Sequence, residues 1–324
     1  MKYTILFPGG PEVSKLSMGS VPYGTKISKE DAFKQMDLFV EMGGNFLDTA
    51  HVYAEWLPGG YLASEKTIGA WIKERKMKGK MVISTKGAHP RLATMEISRL
   101  NKKELGNDIN DSLQSLNLDA IDLYFLHRDD PSVPVDEILF WLEGHKKEGK
   151  IKHYGCSNWK LDRVIEADRV SARSGYEGFV CNQIMWGIGD IRWSGIKDKT
   201  LVPMDSAFFD YHLKSQKGAM AYSSSCKGYF SKKKNGSPIP DNMEKIYGVP
   251  SNADLSARLE KLSASCGCTV AVLVSAYIMN QNFPAVPIAS FSSLPQIEES
   301  IAACDFVFPP GIVDEIRQSR KYLW

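Results

Sequence analysis

Four side chains that can carry protons or charge follow short apolar runs in this sequence. Asp48 ends the run Phe46-Leu47-Asp48, and Tyr53 lies in the loop beyond it. Lys86 and His127 end two further apolar runs. The carboxyl ends of parallel strands meet on one face of a barrel, so residues remote in sequence come together there. The spacing therefore predicts a cluster of a carboxylate, a phenol, an ammonium and an imidazole.

These residue types suit the protonation of a carbonyl oxygen. Free tyrosine has a pKa of about 10, which is too high for efficient proton donation near neutral pH. A lysine cation within reach favours the tyrosinate, so Lys86 is expected to lower the pKa of Tyr53. Asp48 is expected to hold Lys86 in place, because a buried cation needs a counter-ion. His127 would orient the carbonyl while Tyr53 protonates its oxygen and a hydride reaches its carbon.

Short apolar runs alternate with amphipathic segments along the chain, which is typical of βα units around a parallel sheet. Strands are predicted at 16–19, at the run that ends in Asp48, and at 81–86, 121–126, 151–156, 178–183, 218–222 and 284–288. Helices are predicted after the capping-box-like segment 28–31 and at 64–77, 101–116, 135–148, 160–171, 251–265, 268–280, 294–304 and 310–320.

This order predicts an α/β fold, a (β/α)8 TIM barrel with an N-terminal β-hairpin and extra C-terminal helices, forming a single domain over residues 1–324. The hairpin is expected to turn at Pro8-Gly9-Gly10. A doubly wound sheet is the alternative, but it predicts a G-x-G-x-x-G fingerprint after the first strand. The segment 19–24, Gly-Ser-Val-Pro-Tyr-Gly, does not supply that fingerprint.

The composition argues against several classes of protein. A formal net charge of +2 gives no electrostatic case for nucleic acid or a membrane as the main partner. The N-terminal apolar run is too short for a signal peptide, and no run approaches the roughly 18 apolar residues of a membrane span. Cys266-Gly267-Cys268 has no second Cys/His pair at zinc spacing, so no metal site is predicted. A reduced, cytoplasmic protein is expected.

Taken together, these motifs resemble those of the aldo-keto reductase family. The segments Asn45–Tyr53, Ser84–Lys86 and Asp122–His127 match that family's catalytic segments in order and spacing, and the resemblance covers residues 1–304. It implies that Tyr53 is the general acid, that Lys86 and Asp48 tune it, and that His127 orients the carbonyl. It also implies an extended nicotinamide cofactor, NADP(H) or NAD(H), bound across the barrel mouth without a Rossmann domain.

The same resemblance implies the cofactor contacts. Ser157, Asn158 and Gln183 would fix the carboxamide, and Tyr222 would stack on the nicotinamide ring. The other predicted contacts are Ser223, Ser225, Lys227, Ser290, Ser292, Gln296 and Ser300. The chain departs from the family pattern after Tyr222-Ser223, where Pro-Leu is replaced by Ser224-Ser225. It departs again at 287–300, which contains no Lys or Arg for the 2′-phosphate of NADP. A weakened preference for NADP is therefore expected.

The predicted substrate pocket is built from loops at the strand ends. Its candidates are Trp56, Tyr61, Arg128, Trp159 and Trp186. Flat aromatic walls beside Arg128, Asp129 and Asp130 fit a sugar-like substrate, and a flat aromatic ketone fits as well. The segment 227–250 is interpreted as a long loop that forms either a lid over the cofactor or an ordinary surface loop.

The leading function is the interconversion of a carbonyl and an alcohol by an NAD(P)H-dependent oxidoreductase. A nicotinamide-dependent epimerase or lyase without net redox is one alternative, and a non-catalytic cofactor-sensing subunit is another. A glycosidase needs two carboxylates that face each other across a pocket, which this cluster lacks. The substrate, the direction of the reaction and the oligomeric state stay open.

Overall fold

A computed structural model describes residues 1–320 of the chain. Its strands are β1 (Tyr3–Ile5), β2 (Glu12–Ser14), β3 (Ser17–Gly19), β4 (Phe46–Asp48), β5 (Val82–Gly87), β6 (Ile121–Leu126), β7 (Ile151–Ser157), β8 (Cys181–Met185), β9 (Gly218–Tyr222) and β10 (Ala285–Ala289). Its helices are α1 (Lys29–Glu41), α2 (Ala63–Arg75), α3 (Lys102–Leu116), α4 (Val135–Lys147), α5 (Leu161–Ser174), α6 (Ser206–Ser215), α7 (Tyr229–Lys234), α8 (Asp241–Tyr247), α9 (Pro250–Cys266), α10 (Val270–Met279), α11 (Leu294–Ala302) and α12 (Ile312–Ser319). Two short 3₁₀ turns lie at Trp193–Gly195 and Cys226–Gly228.

Eight parallel strands, β3 to β10, close into a barrel in which β3 pairs with β10. The predicted (β/α)8 fold is therefore confirmed. The short strands close because each pairs with its sequence neighbour, and the intervening helix covers the outer face. The predicted N-terminal hairpin is β1–β2, and helices α11 and α12 follow the last strand.

The helix starts show why these segments are helical. Ser28 accepts a hydrogen bond from the backbone N–H of Asp31 and caps α1, as the capping-box pattern predicts. Asn101 caps α3 in the same way through Glu104. Each cap satisfies a backbone donor that the first turn of a helix leaves unpaired.

The amino end of the barrel is closed by what we call the plug cluster, a set of buried apolar side chains from the hairpin and the strands. Its members are Leu6, Phe7, Val13, Phe46, Leu123, Phe125, Val180, Cys181, Met220 and Val286. Gly218 allows the close approach, because a Cβ there would lie 2.5 Å from the carbonyl oxygen of Leu6. The hairpin thus seals the bottom of the barrel, and the opposite, carboxyl-end rim stays accessible.

Two segments for which no helix is predicted contain helices, so the interpretation of 227–250 as a long loop is wrong. Helices α7 and α8 lie within it, and Phe230, Met243 and Ile246 are buried there. The segment between β8 and β9 contains α6. The strand predicted at 178–183 is β8, which begins three residues later and ends two residues later. Each of these helices is short and rich in polar residues, so sequence periodicity marks them weakly. Their apolar faces become visible only when they pack on neighbouring helices.

Of the helices within residues 1–320, none alone has the length and apolar composition to cross a membrane. Helices α9 and α10 meet that criterion only as a pair, which is bent by 97°.

The plug cluster generates a stability prediction. Phe7 is 5% exposed within the cluster, so Phe7→Ala should lower the free energy of unfolding by about 3 kcal/mol. The control is Ile5→Ala on the same hairpin, because Ile5 is 52% exposed and the change should cost about 0.5 kcal/mol or less. Urea unfolding followed by circular dichroism measures both. Equal losses in the two variants would contradict the plugging role.

Candidate active site

The alternation of side chains along the strands brings the predicted residues to the carboxyl-end rim. Successive strand residues face opposite sides, so every second residue points into the barrel. Phe125 packs inside the barrel in the plug cluster, and two residues later comes His127. The corresponding rim positions on or just after six strands are Asp48, Lys86, His127, Ser157, Gln183 and Tyr222.

Lys86 lies at the centre of the rim with all of its N–H donors used. Its Nζ donates to Asp48 Oδ2 at 2.7 Å, to the carbonyl oxygen of Thr49 at 2.6 Å and to Tyr53 Oη at 2.9 Å. The side chain is 1% exposed. Burial on its own lowers the pKa of the Lys86 ammonium, but the Asp48 carboxylate and Tyr53 outweigh it, so the pKa lies above its usual value. Lys86 is therefore a fixed cation at neutral pH.

Asp48 is held through both of its oxygens. Its Oδ1 accepts hydrogen bonds from Ser84 Oγ and from Gln183 Nε2, each at 2.8 Å, while Oδ2 accepts from Lys86. Gln183, predicted as a cofactor contact, thus also orients the carboxylate. Ser84 was not predicted. Its position two residues before Lys86 was the available signal, because this spacing puts both side chains on the inner face of β5.

Tyr53 keeps its proton available for another acceptor. Because Lys86 donates to Oη, the phenol hydrogen is free to point elsewhere. Burial raises the pKa of Tyr53, and the opposing effect of Lys86 is smaller, so the pKa lies above its ordinary value. Lys86 thus lowers the pKa of Tyr53 as expected, but its effect does not overcome that of burial. At neutral pH Tyr53 is a protonated donor held in position by a cation.

His127 is a neutral imidazole beside Tyr53. The two ring centroids lie 6.0 Å apart. Burial lowers the pKa of His127 well below its usual value, and His89 and Arg128 lower it further. The ring of His89 meets His127 edge to face at 4.7 Å, and His89 Nδ1 lies 2.7 Å from the carbonyl oxygen of Pro90. His89 was not predicted; a histidine just beyond the strand that carries Lys86 was the only signal.

Asn158 joins the strand ends on the other side of the rim. Its Nδ2 donates to Ser157 Oγ at 3.0 Å and to the carbonyl oxygen of His127 at 3.3 Å. Its Oδ1 accepts from Tyr222 Oη at 2.6 Å. The backbone φ of Asn158 is 61°, a left-handed conformation that asparagine tolerates better than most residues. These contacts fix an amide and the ring of Tyr222 beside the same cavity.

Two adjoining cavities hold the predicted cofactor residues. The central cavity, of about 370 Å³, contains Asp48, Tyr53 and His127 in its wall. The outer cavity, of about 420 Å³, lies between the segment after β10 and helices α7, α10 and α11. The two share Ser225, Lys227 and Ser290. Every predicted cofactor contact lines at least one of these two cavities. The central cavity is lined by Ser157, Asn158, Gln183, Tyr222 and Ser223, and the outer cavity by Ser292, Gln296 and Ser300. The three shared residues line both.

The outer cavity also contains a cation from outside residues 287–300 that was not predicted as a cofactor contact. Lys232, from α7, lines it together with Lys227. The segment after β10 has no basic residue, but the fold brings one from a different part of the chain. The expected weakening of NADP preference follows from the segment after β10 alone and does not take Lys232 into account.

A third cavity, which we call the apolar cavity, measures about 630 Å³ and shares Arg128, Asn158 and Leu201 with the central cavity. Its apolar lining residues are Ala88, Pro90, Met95, Leu100, Pro131, Trp193, Leu201, Val202 and Pro203. Most charged groups in its wall already have partners. Arg128 donates to Asp198 and Thr200, and Asp129 pairs with Arg163.

Four of the five predicted pocket residues lie elsewhere, and only Arg128 lines the cavities described above. Trp159 is 0% exposed and packs on Phe179, and Trp186 is 2% exposed and stacks on Phe283. Both rings are packed in the protein interior and neither lines the central or the apolar cavity, so the structure does not support either assignment. Trp56 is exposed. Tyr61 lines a separate polar cavity with His51 and Asp111, not the cavity of Tyr53.

The comparisons with known proteins agree with this geometry. A family model described as the aldo/keto reductase family matches residues 15–321. The chain belongs to the aldo/keto reductase family. This confirms both the predicted resemblance and the predicted class of enzyme, an NAD(P)-dependent oxidoreductase.

Several aldo-keto reductase relatives can be named. An aryl-alcohol dehydrogenase (NADP(+)) of Phanerodontia chrysosporium is 30% identical over 201 residues, which is 56% of this chain and 51% of that protein. The chain thus spans about half the length of that relative. Norsolorinic acid reductase B of Dothistroma septosporum is 26% identical over 345 residues, covering 99% of this chain and 82% of that protein.

A solved structure supports the fold of this aldo-keto reductase. It is a thermostable aldo-keto reductase in complex with the inhibitor epalrestat, with a TM-score of 0.72 and 20% sequence identity. The match covers 99% of this chain and 100% of the other.

The histidine pair beside Tyr53 generates a pH prediction. The pKa of His89 is lowered from 6.5 to about 4, chiefly by burial. Between pH 6.5 and about pH 4, His89 binds a proton in the unfolded chain but not in the folded chain. The free energy of unfolding therefore falls as the pH is lowered across this window. His89→Gln should remove this loss, a difference on the order of 3 kcal/mol at pH 4 relative to neutral pH. Urea unfolding from pH 7 to pH 4 measures it; parallel pH profiles for both proteins would refute the assignment.

Proposed function

We propose that this aldo-keto reductase interconverts a carbonyl group and an alcohol, with Tyr53 as general acid and base. One observation carries the proposal: Lys86 Nζ donates all three of its hydrogens, one of them to Tyr53 Oη. This leaves the phenol hydrogen free at the wall of a cavity. A proton donor held this way fits a reaction in which an oxygen gains a proton as its carbon gains a hydride.

The described residues fit a nicotinamide dinucleotide. The central and outer cavities adjoin and together form an elongated groove, which suits a molecule with two ring systems joined by phosphates. Ser157, Asn158 and Gln183 would hold the carboxamide, and Tyr222 would lie against the ring. Ser225 and Lys227 stand where the two cavities meet, and they would hold the phosphates. When bound, a reduced nicotinamide supplies a hydride.

In the reducing direction, Tyr53 Oη gives its proton to the carbonyl oxygen. Lys86 stabilises the tyrosinate left behind, because its cation lies 2.9 Å from that oxygen and cannot move away from Asp48. His127, neutral at the working pH, donates a hydrogen bond to the same carbonyl oxygen without competing as an acid. In the oxidising direction the tyrosinate takes the alcohol proton.

We propose a flat aromatic aldehyde, ketone or alcohol as substrate. The apolar cavity next to the central one supports this choice, because its hydrophobic side chains outnumber its unpaired polar groups. The sugar-like alternative rested on Arg128, Asp129 and Asp130, whose side chains are bonded to Asp198, Arg163 and Ser132. The name of one relative, an aryl-alcohol dehydrogenase, also favours an aromatic substrate.

Removal of the phenol hydroxyl tests the mechanism. Tyr53→Phe should lower kcat by roughly 10²- to 10⁴-fold, because the proton donor is lost while the groove stays intact. Nicotinamide absorbance with an aromatic aldehyde measures the rate, and Tyr3→Phe on the hairpin is the matched control. Full activity of Tyr53→Phe would contradict the mechanism. Substrate conversion by the wild type without net change in the cofactor would instead indicate the redox-neutral alternative.

Leu201 tests the substrate class, because it lies between the central and apolar cavities. Leu201→Ala should lower kcat/KM for a two-ring aromatic aldehyde by about tenfold and change it little for a short aliphatic aldehyde. Leu213→Ala, on the exposed face of α6, should leave both unchanged. A wild type that turns over only keto-sugars would exclude the aromatic class.

A further inference from the structure

Helix α7 carries three consecutive lysines, and their surroundings differ. Lys233 Nζ lies 5.8 Å from the centre of the Tyr229 ring, and Lys234 Nζ donates to Ser263 Oγ at 3.2 Å. Lys232 is half-buried, whereas its two neighbours are exposed. Lys232 is the member of the three that lines the outer cavity. Within residues 1–320 it forms no salt bridge or side-chain hydrogen bond with the protein.

The order of the chemical groups along a dinucleotide determines which of its phosphates can reach Lys232. The nicotinamide end belongs in the central cavity with Tyr53, so the pyrophosphate crosses the junction at Ser225 and Lys227. The adenosine end then occupies the outer cavity. Lys232 lines the outer cavity but not the central one. Of the phosphate groups in NADP, only the 2′-phosphate lies beyond the pyrophosphate on the adenosine side. It is therefore the phosphate that would lie in the outer cavity alone.

We propose that Lys232 is the specificity-determining residue that binds the 2′-phosphate and makes this enzyme prefer NADP(H) over NAD(H). The inference rests on the proposed function, because it assumes that a nicotinamide dinucleotide occupies the groove. It assigns the missing cation to α7, in place of the segment after β10.

The charges of the outer cavity agree with this assignment. Its described lining contains Lys227 and Lys232 against a single carboxylate, Glu299. A carboxylate repels a 2′-phosphate but accepts hydrogen bonds from a ribose hydroxyl or an adenine amino group, so Glu299 without Lys232 would favour NAD. The hydroxyls of Ser292 and Ser300 add neutral donors. Lys232 therefore changes the sum of the formal charges in this lining from zero to +1.

Binding measurements on the full chain test the assignment. Dissociation constants for NADPH and NADH are measured by isothermal titration calorimetry for the wild type, Lys232→Met and Lys233→Met. Methionine keeps an unbranched apolar chain of similar length and removes the charge. The wild type should bind NADPH at least tenfold more tightly than NADH. Lys232→Met should weaken NADPH binding at least tenfold and change NADH binding less than twofold, while Lys233→Met should change neither.

Other outcomes overturn the assignment. Equal weakening for both cofactors would put Lys232 on the phosphates that they share, and no change for either would remove it from the site. A wild type that binds neither cofactor would refute the proposed function itself, which separates the two failures. If Lys232→Met does not fold, Lys232→Gln removes the same charge and takes its place. In the wild type, selectivity for a 2′-phosphate held by a lysine should also fall when ionic strength rises from 50 to 500 mM. Selectivity that is independent of salt would contradict the proposal.

Discussion

The buried ion pair between Lys86 and Asp48 is the constraint on which the rim of this barrel depends. Taking two charges out of water costs several kcal/mol per ion, and their attraction compensates only when the remaining donors and acceptors are also bonded. Here the three hydrogens of Lys86 and both oxygens of Asp48 have partners. The pair is therefore rigid and charged. A loosely held pair would leave the barrel interior with an uncompensated charge.

The hydrogen bonds that keep this ion pair rigid also fix the positions of the side chains around it. Gln183 and Ser84 come from two different strands, and both are needed to saturate Asp48. Tyr53 is reached by the last hydrogen of Lys86, so the loop after β4 must bring the phenol back over the rim. His127 faces the same site without forming part of the ion pair, and its burial near cations keeps it neutral. Lys86, whose three hydrogens are all bonded, thus holds Tyr53 as the proton donor, whereas His127 stays outside the ion pair and can orient the carbonyl.

The sequence made the barrel and the rim predictable for one physical reason. Strands alternate inward and outward, so a polar residue that ends an apolar run must emerge at the rim, as Lys86 and His127 do. The predictions that the structure does not support concern properties that depend on tertiary packing. Trp159 follows a residue in a left-handed conformation, and its ring packs inside the protein on Phe179. The pKa of Tyr53 was predicted from its pairing with Lys86 alone, and burial has the larger effect.

The function of a charged side chain here follows from whether the fold gives it a partner. Arg128 and Asp129 lie in the wall of the apolar cavity, but Asp198 and Arg163 already neutralise them, so little of their charge remains for a substrate. In the sequence, Lys232 belongs to a run of three lysines, a pattern that usually indicates a solvated surface segment. Packing of α7 against α10 puts Lys232 in the wall of a cavity to which the segment after β10 contributes no cation. Charge counted in a window of sequence and charge present in a cavity are therefore different quantities, and only the second one binds a ligand.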